Sequence, residues 1–382
     1  MKLLFVYKFC TLGGVEVILK NRLEVITEYH RDISADILFF DDFGGKKLFT
    51  NRFEKNVYII KDPLRIKQFV IEGKYDFVIS IDTPEIFEYV TDDSVKFILE
   101  VHTNYKENRK YLNFIINGRK KPVAITVPSN YFKEMISQEI GNEIPIYVFP
   151  NFITNSFIEL YNRVNVINEN NKKYIGWIGR LDSLKNWTEF VEISHKLSKE
   201  RDDLIFLIVG GMTADESIKN FFFKALNKKS LLSHTKWLPF YFPIQVIYKT
   251  IAQSNGCYVS TSRGESFGMT LIESMVCRCP VVCSNIDAFK EITDYSKNGL
   301  LYELEEIDSA VAQINLILDN QQVREDIINK SYKSLFERYE SSKIISDWIS
   351  LLHDLSDKNS ISPKLRSSES FTYYSPRFKI RN

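Results

Sequence analysis

Apolar runs separated by polar stretches of helical spacing set the rhythm of this chain. Strands are predicted near 2–7, 35–40, 57–60, 76–80, 96–101 and 123–127. Helical stretches interleave with them, which is the order of a doubly wound sheet. A second series begins near Tyr174 and continues through 204–211, 256–260 and 281–283. The polar stretch 165–171 between the two series reads as a linker. Helical segments at 307–320 and 323–338 close the second series, and 341–355 is expected to cross back onto the first. The predicted organisation is therefore a domain at 1–155, a domain at 172–340, a crossing helix at 341–355 and a polar tail at 356–382. No internal repeat of short period is seen.

The chain has 382 residues, 44% of them hydrophobic, and a formal net charge of +1. That length supports two cores. Balanced charge without a recognition motif argues against a nucleic-acid partner. No apolar span is long enough for a membrane helix and no small-residue cleavage site follows the first strand, so cytoplasmic synthesis is expected. Two features leave a peripheral contact with the inner face of the cell membrane, or with a partner enzyme, as an open alternative. One is the basic cluster Arg109-Lys110 with Arg119-Lys120-Lys121, which could equally face an acceptor. The other is the tail, where Phe371, Tyr373, Tyr374 and Phe378 sit among serines and cations; a solvated tail explains it as well. Cys277, Cys279 and Cys283 crowd one helix–strand junction, but no paired histidine motif accompanies them, and five is an odd count. Buried free thiols are expected there rather than a metal site or a disulfide framework.

The densest chemistry lies in 264–276. Gly264 and Gly268 allow a tight turn, and Met269, Leu271, Ile272, Met275 and Val276 continue it as a buried helix. The helix start spanning Phe267, Gly268, Met269 and Thr270 offers free backbone N–H groups to an anion. Glu265 and Glu273 stand eight positions apart, roughly 12 Å along the axis if the whole segment were helical. A diphosphate fits between them, with Glu273 accepting from a ribose diol and Glu265 from hydroxyls of a sugar. Arg180 and Lys185 follow the strand that begins at Tyr174. In open parallel sheets ligands bind beyond the carboxyl ends of strands, which would turn both cations toward the glutamates.

These segments, with Gly-Gly-Val-Glu at 13–16 and Gly-Arg-Leu-Asp-Ser-Leu-Lys-Asn at 179–186, resemble the retaining nucleotide-sugar glycosyltransferases of family 4. The resemblance spans about residues 1–355. It implies an α/β chain of the GT-B fold, two Rossmann-like doubly wound domains facing across a cleft. It implies that Arg180 and Lys185 hold the donor diphosphate, Glu273 the ribose and Glu265 the transferred sugar. Gly13 and Gly14 would approach the donor phosphates and the acceptor from the opposite domain. His102, in the run Glu100-Val101-His102-Thr103, falls where the family has a histidine near the transferred sugar, and Pro150-Asn151 resembles its Pro-Asn at the start of the second domain.

Two positions depart from the pattern: Arg278 replaces a usual glycine, and 285–291 replaces a Gly-Gly-x-Pro-Glu-like turn. The identity of the sugar is therefore left open. The implied reaction passes a sugar, expected from a UDP donor, to an acceptor hydroxyl in a surface glycan or a lipid-linked or protein-linked glycoconjugate, with configuration retained. Leaving-group charge would be met by Arg180, Lys185 and the helix N–H groups, so no cofactor and no essential metal is expected. A nucleotide-sugar 2-epimerase and a non-catalytic donor-binding subunit are the alternatives.

Overall fold

The computed structural model describes residues 1–49, 52–141, 143–166, 171–211 and 214–357. Thirteen strands are formed within them: β1 Lys2–Cys10, β2 Ser34–Asp42, β3 Val57–Ile59, β4 Phe77–Ile81, β5 Phe97–Glu100, β6 Ala124–Val127, β7 Ile146–Val148, β8 Lys173–Ile178, β9 Leu204–Val209, β10 Thr235–Leu238, β11 Cys257–Ser260, β12 Val281–Ser284 and β13 Leu300–Tyr302. They build two parallel sheets, ordered β3-β2-β1-β4-β5-β6-β7 and β10-β9-β8-β11-β12-β13. Helices cover both faces of each, which is why central strands such as Phe77–Ile81 are buried at every position. The α/β, doubly wound reading is borne out. Strands β7, β10 and β13 were not predicted; β7, β10 and β13 are short and stand at sheet edges.

Each sheet reverses its strand order once, between β1 and β4 in the first and between β8 and β11 in the second. The crevice beyond such a reversal is where open α/β sheets take ligands. The loops at those crevices are 11–14 and 82–84 on one side, 179–186 and 261–268 on the other.

The chain crosses between the sheets twice at one place, since Ile153 forms a parallel bridge with Glu340. Helix Asn155–Arg163 then packs on helix Gln245–Gln253, where Gln245 Nε2 donates to the Phe157 carbonyl (3.4 Å) and Lys249 Nζ to the Tyr161 carbonyl (2.9 Å). Helix Ser341–Asp357 returns to helix Gly14–Tyr29 of the first sheet. The middle of the predicted linker (167–170) and the tail from 358 onward lie outside the described residues.

Away from this double crossing, the domains also touch at the far rim. The Glu291 carboxylate accepts from the backbone N–H groups of Asn130 (3.1 Å) and Tyr131 (3.0 Å), and Ser129 Oγ donates to the Ser266 carbonyl (2.8 Å). Glu291 thus caps the start of helix Asn130–Ile140 from the opposite domain. All five cysteines are buried and free, and burial pushes their thiols up. Among the described residues no helix is long and apolar enough to cross a membrane.

Candidate functional site

On the second-domain side, the end of β8 runs tightly past the end of β9. Gly210, at φ +123°, lies so close that a Cβ would stand 2.0 Å from the Gly179 carbonyl oxygen. Asp182 then folds the loop, accepting from Arg180 Nε (2.7 Å) and from the Lys185 backbone N–H (2.8 Å). This turn sends Lys185 Nζ to Glu265 Oε1, 2.5 Å away, and Ser262 Oγ donates to the same oxygen (2.8 Å). Arg180 stays largely solvent-exposed at 62%.

The helix after Glu265 starts only at Met269, so Glu265 is a loop residue and Glu273 a helical one. Gly268, at φ +127°, makes the turn; a Cβ there would meet the Phe289 ring at 2.9 Å. Met269 and Thr270 form the first turn of the helix. The Phe267 side chain is buried against Tyr339, ring centroids 5.4 Å apart, and packs the loop beneath the helix start.

Glu273 Oε2 accepts from the buried Tyr248 hydroxyl at 2.9 Å. Burial raises its pKa to about 7, against the Tyr248 hydrogen bond and the charge of Lys185, which pull it down. Lys185 therefore lies in the field of both glutamates. Native Glu273 keeps its proton to about pH 7, whereas the unfolded chain releases it near its ordinary value of about 4.3. The native state binds more protons across that window, so this group makes stability fall as pH rises through it. Glu273→Gln should flatten that slope and gain roughly 1–2 kcal/mol at pH 8 relative to wild type. Urea midpoints at pH 5 and pH 8 check this; an unchanged slope would refute the burial argument.

On the first-domain side, Gly13 precedes helix Gly14–Tyr29 and lies beside a buried carboxylate that sequence reasoning did not single out. Glu16 is 1% exposed and accepts from both the backbone N–H and the hydroxyl of Thr11, the latter at 2.6 Å. A Cβ on Gly13 would stand 3.0 Å from Glu16 Oε2, while a Cβ on Gly14 would meet nothing within 4 Å. Burial, with Glu16 and Asp82, pushes the Tyr7 phenol up, and Arg180 of the other domain pulls it back. Arg180 thus lies within electrostatic reach of Tyr7 across the cleft.

His102 follows β5 and is held twice. Its backbone N–H donates to the Asp82 carboxylate at 3.1 and 3.2 Å, and its Nε2 meets Glu100 Oε1. The domains close to contact beside it, since a Cβ on Gly264 would stand 2.3 Å from Asn104 Nδ2. A cavity of about 240 Å³ opens there between Asn104 and Tyr131 of the first domain and Arg263, Glu265, Asn285 and Lys290 of the second. The departing turn 285–291 therefore helps line the site. Lys185, Glu265 and Glu273 form one cluster; Arg180 acts on Tyr7 across the cleft; Gly13 and Gly14 lie at the turn from β1 into the next helix, and His102 comes from the first-domain wall. Asp82, Glu100 and Tyr248 were missed. The available signal was a carboxylate at the end of the buried apolar runs Phe77–Ile81 and Phe97–Glu100.

Of the basic cluster, Lys110, Arg119 and Lys121 stay exposed, whereas Lys120 is half-buried and Arg109 turns inward. Arg109 is 3% exposed, paired with Glu139 and donating to the Thr103 carbonyl (3.0 Å). Lys120 donates to the Asp92 carbonyl (2.6 Å) and Lys121 pairs with Glu143 (3.3 Å). Sequence shows the cations but not the partners that folding brings to them.

The family model for glycosyl transferases group 1 matches residues 161–334. An uncharacterized glycosyltransferase of Haemophilus influenzae is 24% identical over 380 residues, covering 91% of this chain and 98% of the relative. A poly(ribitol-phosphate) alpha-N-acetylglucosaminyltransferase of Staphylococcus aureus is 22% identical over 81% of this chain and 60% of its own length. Among solved structures, Anabaena Alr3699/HepE in complex with UDP and glucose superposes with a TM-score of 0.77 at 18% identity, covering 92% of this chain and 99% of that one. These similarities support a glycosyltransferase, and the fold is the two-domain GT-B arrangement.

Proposed function

We propose that this chain is a retaining glycosyltransferase that moves a sugar from a UDP-sugar to an acceptor hydroxyl in a surface glycan or glycoconjugate. The observation that carries the reading is the cluster of Lys185 with Glu265 and Glu273 beyond the sheet reversal of the second domain, with Arg180 beside it acting on Tyr7 across the cleft. Ribose hydroxyls donate to Glu273, the diphosphate lies by Lys185, Arg180 and the N–H groups at Gly268–Thr270, and the sugar reaches Glu265 and His102. The bond between the anomeric carbon and the diphosphate oxygen breaks. The acceptor oxygen bonds to the same face of that carbon, and its proton passes to the leaving phosphate. Preorganised cations and N–H groups stabilise the departing charge. The names of the relatives, one of which transfers N-acetylglucosamine to poly(ribitol-phosphate), support the assignment of donor and acceptor type.

The test is incubation of the purified chain with UDP-, GDP-, dTDP- and ADP-sugars, with and without envelope extracts as acceptor, and with a chelator in a parallel set. UDP release that grows with acceptor and survives the chelator is expected. Epimerised donor without acceptor dependence would replace the reading with an isomerase. Binding with neither reaction would leave a non-catalytic subunit, and a rate that collapses with chelator and returns with a divalent cation would overturn the metal-free chemistry.

A further inference from the structure

Beneath His102 lies an ion pair sealed from water. Arg22, 0% exposed, sends Nη1 to Glu100 Oε2 at 2.8 Å and Nη2 to Oε1 at 2.6 Å, and Glu100 is 1% exposed. The guanidinium lies 4.2 Å from the centre of the Phe149 ring, and its Nε has no partner. Such a pair is a poor way to gain stability, because desolvation cancels most of the attraction, and apolar residues of similar volume serve as well or better. What an apolar pair could not do is grip His102. Glu100 Oε1 takes the Arg22 hydrogen bond and the His102 Nε2 contact together.

We propose that Arg22 and Glu100 are positioning residues that fix the tautomer and the aim of the His102 ring. Glu100 is a carboxylate and can only accept. Burial alone would raise its pKa, but Arg22 and His102 hold it down to about 2. Nε2 must therefore carry the proton in this contact, which leaves Nδ1 as the nitrogen for a hydroxyl of the transferred sugar. The Asp82 carboxylate fixes the backbone of the same residue, so neither the ring nor the chain beneath it is free to turn. The inference rests on the glycosyltransferase reading for its substrate, and on the buried geometry alone for its tautomer.

The experiment has two readouts on the full chain. Histidine-selective nitrogen-15 NMR, with the His102 signal among five histidines assigned by its loss in His102→Asn, reports the tautomer directly. Nε2–H is expected in the wild type; a dominant Nδ1–H form overturns the proposal. Arg22→Met combined with Glu100→Leu removes the pair without stranding a charge. The expected result is a mixed tautomer and a fall in kcat on the order of 10²-fold, with the donor KM within about twofold, since a small misplacement of a positioned group costs that much. A folded double variant with unchanged tautomer and kcat overturns the proposal. Should that variant fail to fold, the wild-type spectrum decides. Absence of transfer by the wild type would sink the glycosyltransferase reading, while the spectrum would still decide the tautomer.

Discussion

Glu265→Gln should lower sugar transfer by roughly 10²–10³-fold, the range for loss of one preorganised polar contact at a reacting centre. It should leave UDP binding intact or tighter. The carboxylate sits in a loop, not on the helix, and one of its oxygens is shared by Lys185 Nζ and Ser262 Oγ. Glutamine keeps the volume and removes the charge. Lys185 is then released toward the diphosphate, so the product-like nucleotide loses nothing, whereas the sugar loses its carboxylate acceptor. Lys185→Met should behave differently, weakening UDP and transfer together. The double variant should fall well short of the product of the two single losses, because contacting residues are not additive. Turnover with UDP affinity by calorimetry separates the cases. A Glu265→Gln enzyme with wild-type kcat would remove this residue from the sugar site.

The two-sheet architecture was legible because central parallel strands are covered on both faces and show as unbroken apolar runs, Leu3 to Val6 and Leu204 to Val209 among them. Strand β10, Thr235–Leu238, mixes polar and apolar positions, is only partly buried and lies at a sheet edge, so nothing in its four residues marks it as a strand. The same contrast holds in the site. Glycines at 13–14, 264 and 268 punctuate the chain and point to loops near a ligand, and the glutamate spacing after them reads directly. Glu16 and Glu100 do not, because their meaning lies in partners. Glu16 serves the turn five residues before it, and Glu100 answers to an arginine 78 positions earlier. The Phe267 ring is a further case, because only the fold brings Tyr339 over it.

The largest stability loss is expected at a residue far from the chemistry. Trp348→Ala should cost about 3–5 kcal/mol, as deletion of a buried large aromatic does. Trp348 is 2% exposed and stacks on Phe149, centroids 4.8 Å apart at 6°, and on Phe5 at 5.8 Å. It belongs to helix Ser341–Asp357, which has crossed from the second domain, so the first domain's core is completed by the far end of the chain. Two domains need not unfold as one unit, and the loss should therefore show as an early transition of the first domain in urea rather than a uniform shift. Trp348→Phe retains a ring over Phe149 and should lose less than half as much. Activity adds a second expectation. Phe149 carries the Arg22 guanidinium on its other contact, 4.2 Å away, and Arg22 anchors Glu100 beneath His102. A loosened stack should therefore depress kcat at temperatures where the protein is still folded, with donor KM little changed. An alanine variant with the wild-type urea profile would show that the returning helix is an ornament on the first domain; an early transition with intact kcat would uncouple it from the site.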